Sequence, residues 1–177
     1  MNKKFIYLFL ALALPGLIFV FLKKFGKNEF NVKVYYETGI PEDSICGIPT
    51  AGAYHVPDSV ISKIGLGQSV SASVIIIYPF VKDNLSEVNR IKEKYADEKI
   101  DMVILSGIPN HRKSQFRQLF LNYHDFGKIV WCLLRVQEPW SVVLLDGKNR
   151  IRGYYDGSLR DEIDRLDLEL SILLKKY

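Results

Sequence analysis

The chain is 177 residues long, 48% hydrophobic and 25% charged, with 12 Gly, 7 Pro and 2 Cys, which suits one globular domain and excludes a disordered, collagen-like or disulfide-dense chain. Its net charge of +4 comes from one end: residues 1–28 hold five Lys and no acid, leaving 19 basic against 20 acidic residues in the rest. The remainder therefore has no positive surplus to neutralise phosphates, and nucleic acid is not expected as a partner.

Phe5 to Leu22 is an uncharged stretch of eighteen residues, at the short end of what a helix needs to cross a bilayer. A cleaved signal peptide would have a shorter apolar core with a small-residue site after it. Here Ala11-Leu12-Ala13 lies in mid-segment and the apolar run continues. The stretch is expected to be one retained transmembrane helix, so residues 1–24 form a membrane anchor. Lysines flank it on both sides, and charge does not orient it. Residues 25–53 are expected to be a tether with a short strand at Val32–Tyr36, followed by turn chemistry around Gly39-Ile40-Pro41 and Gly47-Ile48-Pro49.

From Tyr54 onward the periods describe a domain, residues 54–177. Val74-Ile75-Ile76-Ile77-Tyr78 is β-branched and reads as a strand buried on both faces. Asn84 with Glu87 predicts a capping box, and Leu85, Val88, Ile91 and Tyr95 form one helical stripe. Met102–Leu105 predicts a second strand. Phe116, Leu119, Phe120 and Tyr123 predict a second helix, stopped at Gly127, and Ile129–Leu134 a third strand. Val142–Leu145 and Ile151–Tyr155 flank a turn at Asp146-Gly147-Lys148-Asn149 and predict a hairpin. A helix opened by Ser158, with Asp161 in its first turn, closes the chain on Leu159, Ile163, Leu166, Leu170 and Leu173. A βαβ half followed by a ββα half is the order of an α/β thioredoxin-like fold, here preceded by the anchor.

The hairpin sequence LLDGKNRIRGYYDGS, Leu144 to Ser158, with the Leu-rich helix after it, resembles the end of the Sco/SenC proteins. Tyr54-His55-Val56-Pro57-Asp58, and the run from Leu105-Ser106 through a loop to Asp125-Phe126-Gly127, are similar to further segments of that family. The family comprises membrane-anchored, thioredoxin-fold copper chaperones of cytochrome oxidase assembly. The resemblance implies a single-pass protein of the cytoplasmic (inner) membrane with its domain on the periplasmic side. It also implies a respiratory-complex subunit or a Sco-type chaperone as partner. Copper in that family is held by a C-x-x-x-C motif after the first core strand and a His before the hairpin, a donor set that suits the metal. Here Pro79 to Leu85 holds no Cys and Val136 to Trp140 no His. No ligand carries over, no cofactor is expected, and the chain reads as a degenerate member without a copper site. It is read as a binding or assembly accessory and not an enzyme.

Two other readings stay open: a thiol-redox protein using Cys46, and a structural membrane-proximal module. Cys46 lies in a Gly/Pro-rich loop with nothing basic beside it to lower its pKa, and is the candidate thiol. Cys132, inside an apolar run, reads as a small core residue. Pairing of the two requires an oxidising compartment, and spacing does not establish it. His55, His111 and His124 lie at no metal-ligand spacing. Pro139 stands where thioredoxin folds often carry a cis-proline, although a trans turn proline is the commoner form. Trp140 beside it is either packed on the domain or a partner-binding anchor.

Overall fold

The β-branched run becomes the centre of the sheet because it is apolar at every position. In the computed structural model, β3 (Ala72–Tyr78) is buried over its first six residues. The structure describes residues 13–21, 31–40, 46–47, 50–67, 69–78, 85–109, 114–137, 139 and 141–175. β3 pairs in parallel with β4 (Ile100–Ser106) from Ala72↔Ile100 to Tyr78↔Ser106, and antiparallel with β6 (Val142–Asp146). β5 (Arg117–Phe120) extends the parallel side and β7 (Ile151–Tyr155) the antiparallel side, giving the order β5-β4-β3-β6-β7. This is a mixed α/β sheet with the βαβ-plus-ββα connectivity of a thioredoxin-like fold.

Alternation along the strands makes two cores. Ile75, Ile77, Val103, Leu105, Val143 and Leu145 face a layer built from α1 (Asp58–Lys63), α3 (Tyr123–Gly127) and the π-helical segment Lys128–Leu133 that follows it. Val74, Ile76, Ile104, Val142 and Leu144 face α2 (Ser86–Lys94) and α4 (Arg160–Leu173). The stripes expected on those two helices bury Val88 and Ile91 on α2, and Ile163, Leu166 and Leu170 on α4. Lys94 reaches Asp167 at 2.7 Å across the pair.

Several expectations differ from the structure, among them that Leu159 joins the buried face of α4, since it is 53% exposed. Phe116, Leu119, Phe120 and Tyr123 do not form a helix face. Phe116 is buried, but Phe120 is 56% and Tyr123 90% exposed, and residues 117–120 are the edge strand β5. Ile129–Leu134 is not a strand. Its residues continue α3 as a π-helical turn that buries Phe126, Ile129, Val130 and Leu134, a helical spacing hidden inside a continuous apolar run. Gly127 does not stop the helix, because its φ of −58° and ψ of −47° keep it helical. Ser158 does not cap α4; its hydroxyl donates to Asp156 at 2.6 Å, and Leu159 occupies the cap position. The capping residue Asn84 expected for α2 lies outside the described residues.

The start signal that sequence reading missed is Asn122. Its side-chain oxygen accepts the Asp125 N–H at 2.9 Å, its amide donates to the Asp125 carboxylate at 2.8 Å, and that carboxylate pairs with Lys63 at 2.8 Å. Asn122→Ala should lower unfolding free energy by about 1 kcal/mol, read by urea denaturation.

At the other end of the chain, residues 13–21 are helical with Leu14, Leu17 and Phe19 exposed. Among the described residues no helix is long and apolar enough to cross a membrane; the rest of the expected anchor, residues 1–12 and 22–24, lies outside them. The second compact unit runs from Val32 to Tyr177. The segment expected as a tether therefore packs on the domain from Val32 onward, but Val32–Tyr36 is irregular chain and turn, not a strand. The Tyr35 N–H donates to Ile151 O at 2.9 Å, covering the outer edge of β7. Tyr36 then turns the chain at φ 59°, and β1 (Gly39–Ile40) pairs with β2 (Thr50–Ala51).

Candidate functional site: a disulfide beside a tyrosine cluster

The thioredoxin-like site expected at the end of β3 involves residues 79–84, which lie outside the described residues, as do His111 and Trp140. Pro139 is exposed in the turn that leads into β6. Its neighbour Ser141 is fully buried and fixed on three sides. The Ser141 N–H donates to Tyr155 O at 2.9 Å, its carbonyl accepts from the Ile77 N–H at 2.8 Å, and its hydroxyl accepts from the Gly157 N–H at 2.8 Å. His55 and His124 are exposed and apart. Among the described residues no group of three or more His, Cys, Asp and Glu is arranged to hold a metal ion. A groove of about 440 Å³ opens where α2 ends and β4 and β5 begin, lined among others by Lys92, Tyr95, Asp101 and Arg117. It lies at the opposite end of the sheet from Pro139.

Cys46 and Cys132, the only cysteines of the chain, are joined in a disulfide across 86 residues, with their Cα atoms 5.2 Å apart. Cys132 is thus neither in a strand nor a sealed core residue, and Cys46 is not a free thiol. The π-helical turn explains the placement: Ile129 and Val130 point into the core, and Cys132, two positions on, is rotated to a half-buried position. The β1–β2 connection brings Cys46 to it. An even cysteine count in a chain with an apolar leader is the one sequence signal that pointed to this bond.

Beside the disulfide, Tyr35, Tyr36, Tyr54 and Tyr154 pack edge to face. The ring centroids lie 5.0 Å apart for Tyr35–Tyr154 and 6.3 Å for Tyr36–Tyr54. The Tyr54 hydroxyl donates to Leu133 O at 2.8 Å and the Tyr154 hydroxyl to Leu134 O at 2.9 Å. Carbonyls at a helix C-terminus lack partners within the helix, and the two phenols supply them here. Burial pushes Tyr54 up to about 12, against the opposing pull of Arg135 and with a smaller push from Tyr36. Burial, then Tyr36, raises Tyr154 further. Both phenols are therefore neutral donors at physiological pH. What this arrangement supplies chemically is a two-electron thiol–disulfide couple.

The hairpin residues that carry the family resemblance hold structure. Asp146 Oδ1 accepts the N–H groups of Lys148 at 2.9 Å and Arg150 at 3.0 Å. Its Oδ2 accepts Arg150 Nε at 2.8 Å and Arg152 Nη1 at 3.1 Å. Arg152 also donates to Val32 O, pinning the incoming chain. A Cβ on Gly147 would lie 2.9 Å from Val70 O, so the turn requires glycine there. Asn149 sits at φ 58° and donates to Asp58 at 2.9 Å, which ties the hairpin to α1.

No family model and no curated protein matches the sequence. Among solved structures, the chain is similar to a SCO1/SenC family lipoprotein from Bacillus anthracis str. Ames, at 12% identity and a TM-score of 0.47 over 83% of this chain and 96% of that one. It is also similar to a candidate electron transfer protein from Aquifex aeolicus VF5, at 9% identity and a TM-score of 0.44 over 58% and 81% of the two chains. A conserved protein of unknown function from Bacteroides fragilis matches at 12% identity and a TM-score of 0.42, over 76% and 98%.

Proposed function

We propose that this chain is a membrane-tethered, Sco-like binding protein that assists the assembly of a respiratory complex such as cytochrome oxidase, working through its surface on the periplasmic side of the inner membrane. The observation that carries this reading is the Cys46–Cys132 bond. A disulfide suits an oxidising compartment outside the cytoplasm, and it leaves neither of the chain's two cysteines as a free thiol for copper. The exposed apolar residues Leu14, Leu17 and Phe19 on the helical stretch 13–21 support attachment to lipid. The partner class comes from the resemblance of Leu144–Ser158 to the Sco/SenC hairpin.

Two measurements test it. In the native host, deletion of the coding sequence should lower the amount of assembled haem–copper oxidase, and a plasmid copy should restore it; an unchanged oxidase content would remove the assembly role. In anaerobic competition with a chromogenic chelator, the oxidised protein should take up no Cu(I). One tight equivalent, lost in Cys46→Ala, would mean that a relocated thiol has rebuilt a metal site, and would overturn the reading.

A further inference from the structure

The outward face of α3 and of the π-helical segment after it differs from those of α2 and α4. On α2 and α4 the exposed charges pair with one another: Arg90 with Glu87 and Asp164, Arg160 with Asp164, and Arg165 with Glu162. Residues 122–137 hold a single acid, Asp125, and its carboxylate is taken by Lys63 at 2.8 Å. His124 and Lys128 stand exposed on this stretch, and Arg135 is half-buried. The same face carries aromatic rings. Tyr123 is 90% and Trp131 40% exposed, and with Gly127 between them they recur every four residues, on one side of the helix. A Cβ on Gly127 would lie 3.6 Å from Trp131 Cδ1, so the indole leans back along the helix toward Tyr123. Aromatic rings beside basic side chains, with the one carboxylate neutralised, make up the kind of surface that lies in the headgroup layer of a bilayer. The chain also keeps the domain within reach of one. The domain unit begins at Val32, eleven residues after Phe21 of the apolar helix, a span of about 40 Å at full extension.

We propose that the Tyr123–Trp131 face docks the domain on an anionic bilayer surface, with the two rings among the headgroups and Lys128 against lipid phosphates. The inference deepens the membrane-tethered reading above and rests on it. A tether of this length by itself permits many orientations of a domain, whereas a docked face selects one. The rings supply amphipathic area suited to the interface, and Lys128 supplies an attraction that salt weakens. α2 and α4 cover the other side of the sheet from α3, so docking by α3 presents them away from the bilayer, where a partner can reach them.

The test uses the full-length protein reconstituted in vesicles of phosphatidylcholine alone, or with about one third phosphatidylglycerol to make the surface anionic. The acyl chains are brominated, so that quenching of tryptophan emission reports contact with lipid. Trp131 and Trp140 are the only tryptophans of the chain. The wild-type protein should be quenched at least twofold more strongly in the anionic vesicles, and Trp131→Phe should show no such gain. Lys128→Glu should abolish the gain, whereas Arg160→Glu, which reverses a charge on α4, should keep it. Equal quenching of the wild-type protein in the two lipids, a comparison that needs no variant, would overturn the proposal. So would an unchanged gain in Trp131→Phe, because the contact would then lie elsewhere. Shielding of Trp131 from aqueous iodide without quenching by lipid would assign the face to protein, a second copy or another partner, and would overturn it too. Flotation after an alkaline carbonate wash checks the anchor separately. A chain that floats but shows no gain sinks the docking alone, and a chain stripped from the vesicles sinks the membrane-tethered reading on which it rests.

Discussion

Gly153→Ala should cost about 3 kcal/mol of unfolding free energy, lowering the urea midpoint without changing the slope. Residues two apart in a strand share a face, so the side chain of Tyr155 lies along β7 over Gly153. An added Cβ would overlap the Tyr155 hydroxyl oxygen and lie 2.5 Å from Cζ. The ring has nowhere to go. It is fully buried against α4, its hydroxyl donates to Glu169, and the Arg165 guanidinium stacks on it at 4.4 Å from the centroid. Burial, then Glu169, raises the Tyr155 pKa, so the phenol stays protonated as the donor of that bond. A double-mutant cycle isolates the clash: in a Tyr155→Ala background the added cost of Gly153→Ala should vanish. If Gly153→Ala costs the same with and without the ring, the steric account is wrong.

Asp146→Asn should be the most damaging polar substitution, at about 3–5 kcal/mol, because it leaves Arg152 buried without its counter-ion. Side chains of Asp146 and Arg152 are each only 8% exposed, and Asp146 binds both arginines and two backbone N–H groups of the turn. Arg152→Met should cost less, since Asp146 would keep Arg150 and the turn amides. Burial by itself would push the Asp146 carboxyl up. The Arg150 side chain and the N–H groups of Arg150 and Lys148 outweigh it and hold the carboxyl below the usual range. A depressed folded pKa contributes stability that is present above the unfolded value of about 3.9 and is lost as pH falls through the folded value. Urea midpoints across the acid range should therefore fall more steeply below about pH 4 in the wild-type protein than in Asp146→Asn. Parallel acid limbs would show that the Asp146 network does not set acid stability.

The candidate site was only partly legible. Cys46 and Cys132 were visible as the two thiols, and the hairpin was visible as a family-like segment. The roles of the hairpin residues were not: Asn149 reaching Asp58 and Arg152 holding Val32 depend on contacts across 91 and 120 positions of chain. No local period reports such contacts. The four tyrosines likewise come from three separate stretches of sequence, and only the fold sets their rings edge to face.

The sequence by itself determined the strands at the centre of the sheet, the β6–β7 hairpin and the buried faces of α2 and α4. Each of those is written in a local period or turn whose residues make the element they specify. Only the tertiary structure decided that residues 117–120 are strand and 128–133 helix. Phe120 and Tyr123 mimic a buried stripe while standing in solvent, and a six-residue apolar run fits a buried strand and a buried helix equally well. In the fold, residues 117–120 hold the edge of β4 and the 128–133 segment is helical, which leaves Cys132 half-buried and bonded to Cys46.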